Sequence, residues 1–185
     1  MIEKTLLEIS KNFLNLNDKC SDQIHLASRL MVDAINNNKK IMFCGNGGSA
    51  ADSQHLSAEL IGRYRKNRRP LPSISLTTDT SSITAISNDF TFDDIFSRQI
   101  EALGVSGDIL YAISTSGKSR NIINAINVAK KREIIIIGIT GANGNEMNDL
   151  CDVLIKVPAK RPDRIQEMHI AVGHMLCEII ESTIC

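Results

Sequence analysis

His55 and Glu59 are the first residues whose spacing suggests chemistry. Side chains four residues apart project from one face of a helix, and a histidine with a carboxylate can chelate a divalent metal. Such a pair is also common on exposed helix surfaces. The last segment of the chain is dense in further metal-competent side chains, namely Gln166, Glu167, His169, His174 and Glu178. Their spacing alone does not decide which of them is a ligand.

A hydroxyl-rich loop at 114–119, Ser-Thr-Ser-Gly-Lys-Ser, suggests a second kind of chemistry. It lies between a predicted strand and a predicted helix, where hydroxyls and free backbone amides can surround a phosphate. The serines could also act only as helix caps and turn formers. A nucleotide-binding P-loop would need glycine at position 112, where this chain has Ala112. The loop therefore favours a phosphate monoester over a triphosphate.

A glycine-rich loop at 45–50, Gly-Asn-Gly-Gly-Ser-Ala, follows another predicted strand. It fits the loose dinucleotide pattern GxGxxA, but an acidic partner for the ribose is expected about twenty residues further on. The nearest candidate, Asp79, lies too far along the chain. We therefore expect a small phosphorylated metabolite between the two loops, in preference to a nicotinamide or flavin cofactor.

The elements that position these loops alternate between strands and helices. The predicted strands are 41–44, 73–76, 108–114, 133–140 and 152–157, and they are continuously apolar, as in a parallel sheet covered on both faces. Apolar residues at helical spacing predict two opening helices, followed by helices over 50–61, 80–87, 121–131 and 163–183, the last capped by Asp163 after Pro162. The pattern predicts an α/β fold: a three-layer sandwich with a five-stranded parallel sheet. We expect one domain over 1–185, with 1–38 as an N-terminal helical extension.

Composition excludes several classes of protein. The 185 residues carry 21 basic and 21 acidic side chains, so no net positive field would attract nucleic acid or an anionic membrane. The apolar runs are too short to span a bilayer, and the N-terminus lacks the apolar core of a signal peptide, which together predict a cytoplasmic protein. The five cysteines form no CxxC pair and are expected to be reduced thiols; they are Cys20, Cys44, Cys151, Cys177 and Cys185. The stretch 63–70 is predicted to be a basic surface loop.

Five segments resemble the phosphoheptose isomerases of the sugar isomerase (SIS) fold and cover nearly the whole chain in order. They are CGNGGSAADSQHLSAEL (44–60), GRYRKNRRP (62–70), ISNDF (86–90) with DDIFSRQ (93–99), ISTSGKS (113–119) and DRIQEMHIAVGHML (163–176). The resemblance implies conversion of sedoheptulose 7-phosphate to D-glycero-D-manno-heptose 7-phosphate, the first step towards nucleotide-activated heptoses of lipopolysaccharide, lipooligosaccharide or capsule. It also implies a homotetramer with one zinc ion per subunit and sites where subunits meet.

Carried over by position, the resemblance assigns roles to individual residues. The implied zinc ligands are His55, Glu59, Gln166 and His174. The implied phosphate contacts are Ser114, Thr115, Ser116 and Ser119. The implied sugar and loop contacts are Asn46, Gly47, Gly48, Ser49, Glu59, Asn88, Asp89 and Gln166, with Arg63 and Asp163 in support. Glu59 resembles the base that moves the carbon proton, and His174 the acid that serves the oxygens.

Other functions remain open within the same fold. A non-catalytic SIS protein could bind a replication-initiator partner or sense sugar phosphates, but the presence of all four implied metal ligands favours the enzyme. An isomerase for another phosphosugar is the third possibility. The segment 157–167 is shorter and less aromatic than in the relatives, and it is expected to alter the rim of the pocket.

Overall fold

The computed structural model describes residues 1–184, so Cys185 lies outside the described residues. Its centre is a five-stranded sheet in the order β2-β1-β3-β4-β5, with every neighbouring pair parallel. The strands are β1 (Ile41–Gly45), β2 (Ser73–Ser75), β3 (Ile109–Ile113), β4 (Ile135–Gly141) and β5 (Val153–Val157). All five residues are buried in both β1 and β3, as expected for strands covered on both faces. The predicted parallel sheet is confirmed.

Helices cover both faces of the sheet. They are α1 (Ile2–Asn36), α2 (Gly48–Ile61), α3 (Thr80–Asp89), α4 (Ser97–Leu103), α5 (Arg120–Lys131) and α6 (Pro162–Ile184). Successive side chains of a strand point to opposite faces. Accordingly, Tyr111 packs into a core shared with α1, α2 and α6, whereas Leu110 packs into a second core shared with α4 and α5. These two cores make the predicted three-layer α/β sandwich; α4 was not predicted.

The helical N-terminus is confirmed, but the two predicted opening helices are one continuous helix. Leu16, Cys20, Ile24 and Ala27 form a buried stripe that runs past the polar residues 17–19 without interruption. Those polar residues lie on the exposed face, so they do not end the helix. The second half of α1 packs on α6 and β5, while much of its first half is exposed.

The last helix begins one residue earlier than predicted, at Pro162. Proline suits the first helical position because its missing N–H has no intrahelical partner there. The prediction that Asp163 caps the helix from outside is wrong, because Asp163 lies within the first turn. Its carboxylate instead accepts hydrogen bonds from the side chains of Arg161 and Arg164. Across residues 1–184, none of the helices combines the length and apolar character needed to cross a membrane.

The sheet order places the two predicted ligand loops side by side. The chain leaves β1 towards α2 on one face of the sheet and leaves β3 towards α5 on the other. Between neighbouring strands whose connections diverge in this way, a crevice opens at the carboxyl edge, and ligands of parallel sheets bind there. The loops at 45–49 and 114–119 both border this crevice.

Candidate active site

Three metal-competent side chains meet where α2 and α6 cross. His55 Nε2 lies 3.1 Å from Glu59 Oε1 on the next turn of α2, and 3.4 Å from Nε2 of His174 on α6. The close crossing depends on Gly173, since a Cβ there would lie 2.6 Å from the Leu56 side chain. The small residue beside His174 thus lets α6 approach the turn of α2 that carries His55.

This cluster fits a zinc ion. One ligand atom from each of the three residues can be chosen so that all lie within 4.8 Å of one another. Two nitrogens bound tetrahedrally at about 2.0–2.1 Å from zinc would be about 3.3–3.4 Å apart, close to the separation of the two histidine nitrogens. Two imidazoles and a carboxylate are also a common zinc donor set.

Gln166, the fourth implied ligand, lies elsewhere in the described chain. It precedes His174 on α6 by eight positions, or about 12 Å of helix rise. Its side-chain amide rests against Gly48, where an added Cβ would lie 3.3 Å from Gln166 Nε2. Gln166 therefore borders the glycine loop at the start of α2, a position that suits its implied contact with the sugar.

Aromatic and acidic side chains surround the histidines. The rings of His55 and His174 meet edge to face at 5.0 Å, and the Tyr64 ring lies 5.9 Å from that of His174. Half-buried Asp52 lies one helical turn before His55. Burial raises the pKa of Asp52, against the opposing effect of His55 and His174.

The hydroxyl loop is folded tightly at the start of α5. The buried Ser114 hydroxyl accepts the backbone N–H of Gly117 at 3.1 Å and lies 3.3 Å from the Ser119 hydroxyl. Ser119 is the N-cap residue of α5, yet its side chain makes no capping hydrogen bond. Without that cap, the hydroxyl and the first amides of α5 are available to an anion. Thr115 is half-buried and Ser116 exposed beside them.

The glycine loop faces the hydroxyl loop and is joined to it by Asn46. Its side-chain amide exchanges two hydrogen bonds with Asn121 in the first turn of α5, at 2.9 and 2.8 Å. Gly47 has φ +55°, a left-handed conformation that glycine adopts readily. Ser49 is buried in the first turn of α2, next to the exposed Gly48. The structure thus brings the two predicted loops together.

Four other predicted site residues lie apart from this cluster. Asn88 and Asp89 end α3 on the surface, where the Asn88 amide donates to Asp89 Oδ1 at 2.8 Å. Arg63 is exposed in the loop after α2, and Asp163 is exposed at the start of α6. Hydrogen bonds from Arg161 hold the pKa of Asp163 far below its ordinary value. Among residues 1–184, no side-chain hydrogen bond or ion pair joins these four residues to the His55–Glu59–His174 cluster.

The five-stranded parallel sheet with helices on both faces is the SIS fold. Residues 7–141 match the family model described as SIS domain. Since this match spans well over half of the chain, the chain belongs to the SIS domain family.

Individual relatives define the group within that family. A phosphoheptose isomerase of Nitratiruptor sp. is 50% identical over 182 residues, covering 98% of this chain and 97% of the relative. The solved phosphoheptose isomerase of Neisseria gonorrhoeae has a TM-score of 0.93 at 41% identity, covering 98% of this chain and 97% of that one. The solved phosphoheptose isomerase of Francisella tularensis has a TM-score of 0.94 at 34% identity, covering 98% of this chain and 96% of that one. The chain is a phosphoheptose isomerase family member and an aldose–ketose isomerase, as the motifs predict.

Sequence reasoning missed three residues that shape this site. Asn121 falls in a predicted helix, and its one local signal is that it is polar and begins that helix directly after the hydroxyl loop. Arg68 falls in the predicted surface loop, but its side chain is 2% exposed and pairs with Glu181, which is 3% exposed. No local signal identifies Arg68, because its partner lies 113 positions away.

Proposed function

We propose that this chain converts sedoheptulose 7-phosphate to D-glycero-D-manno-heptose 7-phosphate with the help of a bound zinc ion. The observation that carries the proposal is the spacing of His55, Glu59 and His174, whose donor atoms match a tetrahedral zinc site. Gln166 is the fourth ligand that the resemblance implies, but rotation of its own side chain does not span the roughly 12 Å of helix rise to His174. Within one chain we assign Gln166, which lies against Gly48, to the sugar. The high identity to phosphoheptose isomerases over nearly the whole chain supports the choice of substrate.

The reaction moves a carbonyl from C2 of a ketose to C1 of an aldose. One proton must leave C1 and return at C2, and another must pass between the two oxygens. We assign transfer of the carbon proton to Glu59, because its Oε1 contacts His55 while its Oε2 remains available to accept a proton. His174 serves the oxygens. Zinc, when bound, supplies Lewis-acid stabilisation of the negative charge that develops on oxygen.

The 7-phosphate is assigned to Ser114, Thr115, Ser116 and Ser119 at the start of α5. The uncapped helix N-terminus offers amides and partial positive charge to a dianion. Because the phosphate is remote from the reacting carbons, its binding energy can hold the open-chain sugar in place during proton transfer. Asn46, Gly47, Gly48 and Ser49 would contact the sugar from the facing loop.

The proposal extends to assembly and compartment. The first half of α1 exposes apolar side chains, including Ile2, Leu6, Leu7 and Leu14, which supports burial against other copies in a homotetramer. Asn88, Asp89 and Arg63 are exposed, which leaves them free to contact another subunit in such an assembly. The free thiols of Cys20, Cys44, Cys151 and Cys177 support a reducing compartment, the cytoplasm. The product would enter nucleotide-activated heptose synthesis for lipopolysaccharide, lipooligosaccharide or capsule.

The test is to incubate the purified protein with sedoheptulose 7-phosphate and identify the sugar by NMR. The reaction is followed before chelation, after chelation and after zinc is returned. We expect the aldoheptose 7-phosphate to form, to stop forming on chelation and to form again with zinc.

Two variants test the metal site and the acid–base chemistry: His55→Ala removes a proposed ligand, and Glu59→Gln changes the proposed base, which is also a proposed ligand. His55→Ala should lose both zinc and activity, because His55 contacts both other members of the cluster. Glu59→Gln, similar in shape, should retain the substrate but lose exchange of the C1 proton with solvent deuterium. Turnover that survives complete removal of metal would refute the zinc assignment, and absence of the aldose under every metal condition would refute the proposed reaction.

A further inference from the structure

The loop at 62–70 contains a buried ion pair in an otherwise exposed basic stretch. Arg68 Nε donates to Glu181 Oε1 at 3.0 Å, and the two side chains are 2% and 3% exposed. A second pair, Arg65 with Glu178, joins the same loop to α6 but is 64% and 50% exposed. Exposed pairs contribute little to stability, whereas removal of one partner from a buried pair is strongly destabilising, because the other charge is left buried and unpaired.

The Arg68 guanidinium also binds the end of α2. Nη2 donates to the backbone carbonyl of Glu59 at 2.8 Å, and Nη1 donates to that of Leu60 at 2.8 Å. Carbonyls in the last turn of a helix have no intrahelical partner, so Arg68 supplies one. One side chain therefore joins the turn of α2 that carries Glu59 to a carboxylate on α6.

Glu181 holds the other side of this junction. Its Oε1 accepts the N–H of Tyr64 at 3.1 Å, and its Oε2 accepts those of Arg65 and Lys66 at 2.8 and 2.9 Å. Burial acts to raise the pKa of Glu181, but these amides and Arg68 outweigh it, so the pKa is lowered. The charged carboxylate thereby fixes the loop segment whose Tyr64 ring lies 5.9 Å from His174.

We infer that Arg68 and Glu181 are positioning residues that align α2 with α6 and so set the spacing of His55, Glu59 and His174. Glu181 lies two helical turns beyond His174, on the same side of α6. Neither member of the pair belongs to the metal cluster. The inference rests on the metal site proposed above and deepens it, because it identifies what holds ligands from two separate helices within bonding distance of one ion.

The test measures zinc affinity by competition with a chromophoric chelator, using full-length protein stripped of metal and reloaded. Arg68→Lys keeps a positive charge beside Glu181 but lacks the forked donors that reach the Glu59 and Leu60 carbonyls. We expect zinc affinity to fall about tenfold or more, as when other residues that orient metal ligands are replaced. We also expect kcat to fall while KM for the sugar phosphate changes little, because the phosphate loop does not contact the pair.

Glu178→Gln is the matched control for Glu181→Gln, since both acids lie on α6 and pair with the same loop. Only Glu181→Gln should weaken zinc binding. If Arg68→Lys does not fold, Glu181→Gln carries the test, because its amide retains the shape and one acceptor oxygen.

The outcomes separate this inference from the proposed function. Wild-type protein that binds no zinc would refute both. Wild-type protein that binds zinc, with Arg68→Lys and Glu181→Gln binding it equally well at a lower unfolding temperature, would leave the zinc proposal intact. In that case the pair would be shown to stabilise the fold without positioning the ligands, and the inference would be overturned.

Discussion

Asn46 and Asn121 exchange two hydrogen bonds across the crevice between β1 and β3, at 2.9 and 2.8 Å. Each amide is both donor and acceptor, so the pair holds the two loops at one separation. Asn121 is only 2% exposed, and a buried amide that loses its partner is costly. The pair therefore links the loop assigned to the phosphate with the loop assigned to the sugar.

Replacement of Asn121 by alanine should uncouple these loops. We expect the free energy of unfolding to fall by about 1–3 kcal/mol, because two hydrogen bonds worth about 0.5–1.5 kcal/mol each are lost. Catalytic efficiency should fall by more than this loss of stability explains, since folded molecules would hold the loops at variable separation. Urea unfolding and steady-state kinetics measure the two effects.

Asn127→Ala, at an exposed position of the same helix, should change neither quantity. The link would be refuted if Asn121→Ala were destabilised but showed wild-type kinetics in its folded fraction. Additive effects of Asn46→Ala and Asn121→Ala in a double-mutant cycle would also contradict it.

Ser119→Ala should weaken substrate binding more than it slows the chemical step. The Ser119 side chain does not cap α5, so its removal should leave the unfolding temperature nearly unchanged. The loss of one hydrogen bond to a charged phosphate corresponds to about 1.5–3 kcal/mol of binding. Steady-state kinetics should show this as a raised KM for the sugar phosphate, with a smaller change in kcat.

Ser182→Ala, at an exposed position near the end of α6, is the control and should behave as wild type. An unchanged apparent affinity in Ser119→Ala would exclude this hydroxyl from the phosphate site.

Gly117→Ala should distort the hydroxyl loop. Gly117 has φ +67°, and a Cβ there would lie 2.6 Å from Gly144 Cα. The left-handed conformation costs a non-glycine residue about 1–3 kcal/mol, and the contact with backbone adds to it. Thermal unfolding should show lower stability, and KM should rise because Ser116 and Ser119 flank the distorted turn.

Gly62→Ala provides a comparison for the left-handed conformation alone, since that position has φ −75° but an added Cβ would still lie 3.1 Å from Ala58 O. Its loss of stability should be smaller than that of Gly117→Ala. Wild-type stability and KM in Gly117→Ala would show that the loop tolerates the side chain.

His169 should make the protein less stable in mild acid. It is 2% exposed, and neither ring nitrogen is in a well-formed hydrogen bond with the described residues. Burial lowers its pKa from 6.5 to about 4, against a smaller effect of the Thr140 backbone. Between these two values the unfolded chain binds a proton that the folded protein does not, so stability falls as pH drops from about 6.5 to 4.

The expected loss from His169 is about 3 kcal/mol across that interval. Urea unfolding at several pH values measures the free energy of unfolding and its slope against pH. His169→Gln should remove the contribution of His169 to this slope and leave the contributions of other acid-sensitive groups unchanged. The exposed His25 is the control, and His25→Gln should retain the wild-type slope. Equal slopes in wild type and His169→Gln would contradict the assignment.

The order of elements and the chemistry of the loops follow from local sequence. Continuously apolar strands such as β3 predict burial on both faces, and the turn residues after β1 and β3 predict loops able to bind an anion. His55 and Glu59 lie one turn apart in any helix that contains both residues. These features depend on residues within a few positions of one another, which is why the sequence by itself determines them.

Features that depend on distant residues were decided by the tertiary structure. Apolar residues at helical spacing predict two opening helices, but a buried stripe that packs on α6 and β5 makes them the single helix α1. The burial of Arg68 likewise depends on Glu181, and the role of Asn121 depends on Asn46; both partners are distant in the sequence. His174 joins His55 only because Gly173 allows α6 to pack closely on α2. Contacts between residues far apart in the chain leave no local pattern, since each is set by how the helices pack on the sheet.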